Sequence, residues 1–342
     1  MRAGQHEPYE YGRKLLCTAV PELLLGGWHL LSCAAVSVRK QRGKQIVVYE
    51  FSYLVVNDHH TERRSRVLVK IYGEDRGCLG HEAQTSLWAA GFRSPSAFRV
   101  PRSYGYATEF RALVQEEVSA EAWANRLSGT LEAGGHASAL AAAWLLHLQG
   151  SAIAASDPGR AAEISAVAGF ADNVARSQPQ YAATVRSVAE TLDHRLRTDR
   201  APLVPSHGDY HPKNALLTDQ WVAVIDFDHF GLRSAAFDVG YAIGQLHIMS
   251  YLRLGDFIPG AHAAIAFWDR YRHAGAAQWR DVATHVARTF MQSLDYELCT
   301  LGNGRTDLLS PWLRLSELFL DSSGFPDPAQ VGRLAPAGGG SR

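Results

Sequence analysis

The 342-residue chain carries 34 basic and 34 acidic residues, for a formal net charge of zero. That length suits one large domain or two lobes with real cores, and the balanced charge gives no reason to expect nucleic acid or an anionic membrane as a partner. Four cysteines, Cys17, Cys33, Cys78 and Cys299, form no C-x-x-C pair, which argues against a zinc site or a disulfide frame and for small buried hydrophobes in a reduced compartment.

The first stretch, MRAGQHEPYEYGRK, is polar, and the apolar run after it is broken by Pro21, Glu22, Gly26, Gly27 and His29. Neither a signal peptide nor a membrane span is expected, and the reading is a soluble, cytoplasmic protein. SCAAVSV and KQIVVYEFSYLVV flank the turn RKQRG, a hairpin pattern with Gly43 in the turn. RVLVKIYG and FRALVQEEV read as further strands. Gly80 to Gly91, GHEAQTSLWAAG, reads as a helix bounded by glycines. Residues 1–114 are therefore expected to form a β-rich lobe with one helix, and 115–119 a short connection.

From Ala120 the pattern turns helical. Ala137, Leu140, Ala141, Trp144, Leu145 and Leu148 share one face at helical spacing. Arg160 to Arg197 is mostly helical, with a break near Pro179. NALLTD and WVAVIDFD read as two short strands around a turn at Asp219–Gln220. AFDVGYAIGQLHIMSYL returns to helix, and helices are expected to about Leu320. Residues 321–342, rich in Pro, Gly and Ser, are expected to be a flexible tail. The fold class is α+β, a β-rich lobe of 1–114 followed by a helical lobe of 120–320. A split at residue 119 gives charges of +4 and −4, which suits an anionic cofactor and a neutral or cationic substrate, or ordinary surface variation.

The densest polar motif is SHGDYHPKNALL, Ser206 to Leu217. His207, Asp209 and His211 alternate as H-x-D-x-H, as a zinc-dependent hydrolase loop would. Such a site needs further His or Cys ligands, and His59–His60, His229 and His247 supply no such spacing. The same letters give D-x-x-x-x-N from Asp209 to Asn214. Phosphoryl transfer needs cations on the phosphates, metal ligands and a group that orients the attacking hydroxyl. Asp209 can receive the hydroxyl proton, and Asn214 can offer an amide oxygen to Mg²⁺. Asp226, at the end of WVAVID, is a second hard ligand, and Asp228 shares its face if the strand persists. Lys70 in VLVKIYG needs a partner if it points from a buried face. Glu82, on the next helix, is the natural one.

HGDYHPKN followed by VIDFD resembles the catalytic signature of the aminoglycoside phosphotransferase and choline kinase-like superfamily, the small-molecule branch of the protein-kinase-like fold. The resemblance covers Lys70 to about Leu252. It implies a two-lobed fold, ATP, Mg²⁺ and transfer of the γ-phosphoryl group to a hydroxyl of a small molecule, such as an antibiotic, an amino alcohol or a sugar. By that resemblance Asp209 is the catalytic base, with His211 either near the transferred phosphate or shaping the loop. Asn214 and Asp226 hold Mg²⁺, with Asp228 as a further candidate, and Lys70 with Glu82 serves the nucleotide. Backbone groups around Glu116, Glu117 and Val118 would meet adenine. His207 and Asp238 brace the loop, and Asp238 is also a candidate N-cap. The turn RKQRGK departs from a glycine-rich phosphate loop and reads as a solvated basic turn, with Arg42 or Lys44 near phosphate as the alternative. A kinase-like scaffold that binds without catalysis is the remaining alternative, and it leaves the occupied catalytic positions without a use.

Overall fold

The computed structural model describes residues 8–19, 28–41, 43–55, 61–74 and 77–335. In chain order the elements begin with α1 (Pro8–Ala19), β1 (Trp28–Gln41), β2 (Lys44–Val55), β3 (Thr61–Tyr72), α2 (Gly77–Ala89), β4 (Phe98–Arg99), β5 (Ser103–Ala107) and β6 (Ala112–Glu116). They continue with β7 (Glu121–Ala122), α3 (Trp123–Arg126), α4 (Leu131–Gln149), α5 (Arg160–Ser177), α6 (Ala182–Thr198), β8 (Leu203–Ser206), β9 (Ala215–Leu217), β10 (Val222–Val224) and β11 (Gly231–Ser234). The last helices are α7 (Ala236–Leu254), α8 (Ile258–Arg272), α9 (Trp279–Asp295), α10 (Leu309–Asp321) and α11 (Pro328–Gly332). Two compact units result. One holds residues up to Ser119 together with Ala223–His229, and the other holds Ala120–Val222 and Phe230 onward.

The first unit is built on an antiparallel sheet of order β1-β2-β3-β6-β5. Strand alternation sorts its faces. Val47, Val69 and Val114 stand in register and belong to the core that α1 covers with Leu15, Leu16 and Ala19. Ile46, Lys70 and Leu113 form the next row, so Lys70 emerges on the opposite face. The sequence pattern did not foresee α1. It lies so close that a Cβ at Gly105 would collide with the Ala19 carbonyl oxygen. The helix expected over Gly80–Gly91 spans Gly77–Ala89 instead and buries Gly80, Ala83, Gln84 and Leu87.

In the second unit Trp123, Trp144, Tyr210 and Phe267 form an aromatic core. Trp144 stacks on Tyr210 at 5.6 Å and Trp123 on Phe267 at 5.7 Å between ring centroids. α5 and α6 meet at a 3₁₀ turn over Pro179–Tyr181, where a break was expected. The segment expected to be a flexible tail is packed as far as it is described. Asp327 caps α11 by accepting the Ala329 N–H at 2.7 Å, Val331 is fully buried, and Phe325 packs against His247, Trp279 and Phe319. Burial of those apolar side chains outweighs the Pro/Gly/Ser composition; residues 336–342 lie outside the described residues. The cysteines depart from expectation too: Cys33 is buried, but Cys78 and Cys299 are exposed. Among the described residues no helix is long and apolar enough to cross a membrane.

Candidate functional site

In the first unit two carboxylates and two lysines converge. β10 ends at Val224, and Asp226 takes the left-handed backbone conformation with φ of 73°. Strand alternation therefore does not continue through VIDFD, and it is this bend rather than a shared strand face that sets the two carboxylates. Lys70 Nζ lies 2.9 Å from Asp226 Oδ1. Lys44 Nζ lies 2.8 and 2.7 Å from the two Asp226 oxygens and 3.1 Å from Asp228 Oδ2. The Tyr72 hydroxyl donates to Asp228 Oδ1 at 2.8 Å. Burial alone would raise the Asp226 pKa, but the charges of Lys70 and Lys44 and their hydrogen bonds hold it far below the usual carboxylate range. For Lys44, burial opposes the charged form, and the Asp226 and Asp228 charges more than reverse that, so its pKa is raised.

Two expectations about this unit are corrected. Lys70 does not pair with Glu82. The helical phase of α2 puts Glu82 on its exposed face, where it accepts from the Cys78 thiol at 3.3 Å, while Lys70 is buried against Asp226. Lys44 is not part of a solvated basic turn. Its side chain is 14% exposed and is drawn in by two carboxylates that only the folded chain brings near; Arg42 lies outside the described residues. Glu116 closes β6, donating its N–H to the Arg102 carbonyl at 2.8 Å and accepting the Arg102 N–H at 3.0 Å. Glu117 and Val118 follow it outside any strand.

In the second unit the polar motif forms a tight loop between β8 and β9. Tyr210 is its anchor, buried in the aromatic core with its hydroxyl on the Ala141 carbonyl at 2.8 Å. Sequence reasoning passed over Tyr210, although an aromatic between Asp209 and His211 is the signal of alternating in-and-out side chains. Asp238 holds the other side. Its carboxylate accepts the Ser206 hydroxyl at 2.7 Å and the His207 and Gly208 N–H groups at 2.6 and 3.0 Å. Gly208 has φ of 80°, which suits a residue without Cβ. Asp238 does not cap α7, whose N-cap is Ala235; being inside the first turn leaves its carboxylate free to brace the loop.

Asp209 is thereby presented with defined partners. Tyr241 donates to Oδ1 at 2.8 Å, Asn214 Nδ2 to Oδ2 at 3.2 Å, and His211 Nε2 lies 3.4 Å from Oδ2. His211 Nδ1 accepts the Lys213 N–H at 3.2 Å, so Nε2 carries the ring proton that faces Asp209. Burial would raise the Asp209 pKa, but His211, then His207 and Tyr241, bring it down to about 2. His207 Nδ1 accepts the Asp209 N–H at 3.2 Å and shapes the loop. Asn214 spends its amide N–H on Asp209, which leaves the amide oxygen for a cation.

The zinc reading of H-x-D-x-H finds no support in this geometry. Nδ1 of each histidine is taken by a backbone N–H of the loop. Among the described residues no group of three or more His, Cys, Asp or Glu is arranged to hold a metal ion.

The family model of the phosphotransferase enzyme family matches residues 50–284, more than half of the chain. The chain belongs to that family. No curated protein matches the sequence. A choline/ethanolamine kinase family protein from Mesorhizobium loti is 16% identical, with a TM-score of 0.58 over 95% of this chain and 98% of that one. A glucosamine kinase in complex with glucosamine, ADP and inorganic phosphate is also 16% identical, with a TM-score of 0.52 over 90% and 97%. The streptomycin–ATP–APH(2")-IIa ternary complex is 10% identical, with a TM-score of 0.51 over 94% and 98%. At these identities the solved structures establish a shared kinase-like fold. The family match covers Lys70, Asp209, Asn214, Asp226 and Asp228, so the loop and the carboxylate pair both lie in its matched region. Lys44 lies outside it.

Proposed function

We propose that this phosphotransferase moves the γ-phosphoryl group of ATP, with Mg²⁺, to a hydroxyl of a small molecule: an antibiotic such as an aminoglycoside, an amino alcohol or a sugar. The observation that carries the proposal is Asp209, an ionised carboxylate fixed by Tyr241, Asn214 and His211. A carboxylate so held is oriented to accept the proton of an attacking hydroxyl. His211 Nε2–H beside it would steady the same carboxylate or meet the transferred phosphoryl group.

The donor set also suits a hard divalent cation. Asp226 and Asp228 offer carboxylate oxygens, and the Lys44 ammonium already bridges three of them, as a cation would. Asp226 and Asp228 would hold Mg²⁺, which when bound shields the phosphate charges, and in the other unit the amide oxygen of Asn214 is a ligand of the same hard kind. Lys70 would face the α- and β-phosphates, and backbone groups of Glu116, Glu117 and Val118 the adenine. Glu82, turned outward, has no part in this arrangement. The glucosamine and streptomycin complexes of the fold relatives support an acceptor of the amino-sugar or amino-alcohol kind. Dependence on ATP fits a cytoplasmic protein.

A coupled ADP-release screen over aminoglycosides, peptide antibiotics, amino alcohols, sugars and nucleosides tests the proposal, with Asp209→Asn beside wild type. Turnover should appear with at least one hydroxyl acceptor. It should fall about 100- to 10,000-fold in the variant while ATP affinity stays within about twofold. A variant that turns over at the wild-type rate would remove Asp209 as the base.

A further inference from the structure

The Asp226–Asp228 pair carries its counter-ions within the chain. Two ammonium groups face two carboxylates, so the cluster is formally neutral. The two lysines are not equivalent. Lys70 sits near the end of β3, paired with β2 on one side and β6 on the other, with its side chain 4% exposed, and it touches one oxygen of Asp226. Lys44 touches both oxygens of Asp226 and one of Asp228. It stands at the first residue of β2, next to the Gly43 turn, where φ is 74° and the Gly43 carbonyl accepts the Gly73 N–H at 2.8 Å. The turn is thus pinned, and the mobile part of Lys44 is its four-carbon stem, which ends in a compact ammonium with three donors.

A carboxylate oxygen has a limited number of lone pairs. Asp226 Oδ1 already accepts from both lysines, and Asp228 Oδ1 accepts from Tyr72. A divalent cation and the Lys44 ammonium would therefore compete for the same oxygens, and at contact distance they would repel each other. An anionic polyphosphate beside the carboxylate pair would offer the displaced ammonium a favourable destination.

We propose that Lys44 is an exchangeable internal counter-ion. It holds Asp226 and Asp228 in the nucleotide-free protein, gives them up to the metal, and turns to the polyphosphate when metal and nucleotide arrive together. This rests on the metal-site reading given above. Metal alone binds weakly because it has to displace Lys44. Nucleotide removes that competitor, so metal and nucleotide bind with positive coupling, and linkage makes the coupling reciprocal.

Isothermal titration of Mn²⁺ into the nucleotide-free full chain tests the exchange, with Lys44→Met, Lys44→Gln and Lys44→Arg beside wild type and folding checked by circular dichroism. Lys44→Met and Lys44→Gln should bind Mn²⁺ about tenfold more tightly than wild type, within the usual span of coupling between sites. Lys44→Arg, which keeps the cation, should stay near wild type. The enhancement of Mn²⁺ affinity by saturating ADP should shrink in the Met and Gln variants by the same factor. Unchanged or weaker Mn²⁺ binding in the folded Met and Gln variants would overturn the proposal. So would loss of folding in both, because an exchangeable contact is not one the fold depends on. Asp226→Asn separates the two readings. If that variant binds Mn²⁺ with ADP as wild type does, the metal-site reading itself fails. If it loses the metal while Lys44→Met is unaltered, only the exchange fails.

Discussion

At the scale of single residues the candidate base is set by contacts that a motif cannot display. Asp209 and Asn214 are recognisable by spacing, but Tyr241 is 32 residues downstream and supplies the shortest hydrogen bond to the base. Tyr241 is a positioning residue, because its hydroxyl stabilises the ionised carboxylate and fixes its rotamer. A hydrogen bond to a charged group contributes about 1.5–3 kcal/mol, which corresponds to about one to two pKa units. Tyr241→Phe should therefore lower kcat about tenfold through the looser geometry and leave the KM for ATP within about twofold. It should also move the acidic limb of the pH–kcat profile upward, because Asp209 loses a contact that lowers its pKa. A variant with lower kcat and an unmoved acidic limb would show that the hydroxyl does not act on Asp209.

At the scale of elements, the strands were legible because alternation is local. Val47, Tyr49 and Phe51 on β2 and Val67 and Val69 on β3 mark the face that packs on α1. α1 was not legible, since it straddles the end of the polar stretch and the start of the broken apolar run, and Leu15 and Leu16 show their worth only beneath the sheet. The site divides in the same way. The loop at Asp209 is contiguous in sequence, so its polar residues could be picked out together, although Tyr210, its anchor, was passed over. The partners of Asp226 are not: Lys70 is 156 residues away and Lys44 is 182, and no local pattern pairs them. The Lys70–Glu82 pairing failed for a related reason, because a sequence interval does not fix helical phase. If α1 is part of the core, Leu15→Ala should cost about 2–5 kcal/mol. Val38→Ala, at a position 53% exposed on β1, should cost under about 1 kcal/mol. Urea unfolding of the two variants against wild type gives both numbers, and equal small losses would show that α1 does not hold the sheet.

For the whole molecule, pH dependence follows from how the second unit treats two fully buried histidines. His285 lies 3.3 Å from Glu163 and 4.0 Å from Asp199. Burial opposes its charge, as does Arg288, but the two carboxylates prevail and its pKa is raised. Its contribution to stability is thus complete below the ordinary histidine value near 6.5 and is lost as pH rises through its folded value. His247 has no such partner: Nδ1 meets the Ile243 carbonyl at 2.8 Å, and Phe319 and Phe325 face the ring. Burial lowers its pKa to about 4 against the weaker pull of that carbonyl, so the fold keeps it neutral. Its contribution is complete above 6.5 and declines as pH falls toward 4, by up to about 3 kcal/mol. Glu163, Asp199 and Asp209, each held at about 2, contribute their own loss only below the ordinary carboxylate values near 4. In the window between 6.5 and 4 the histidines with lowered pKa act, His247 foremost because its shift is large, with His81, lowered by its partial burial, beside it. The melting temperature of His247→Leu should fall less than that of wild type between those two pH values. Parallel slopes for His247→Leu and wild type would show that the His247 ring is not what acid destabilises.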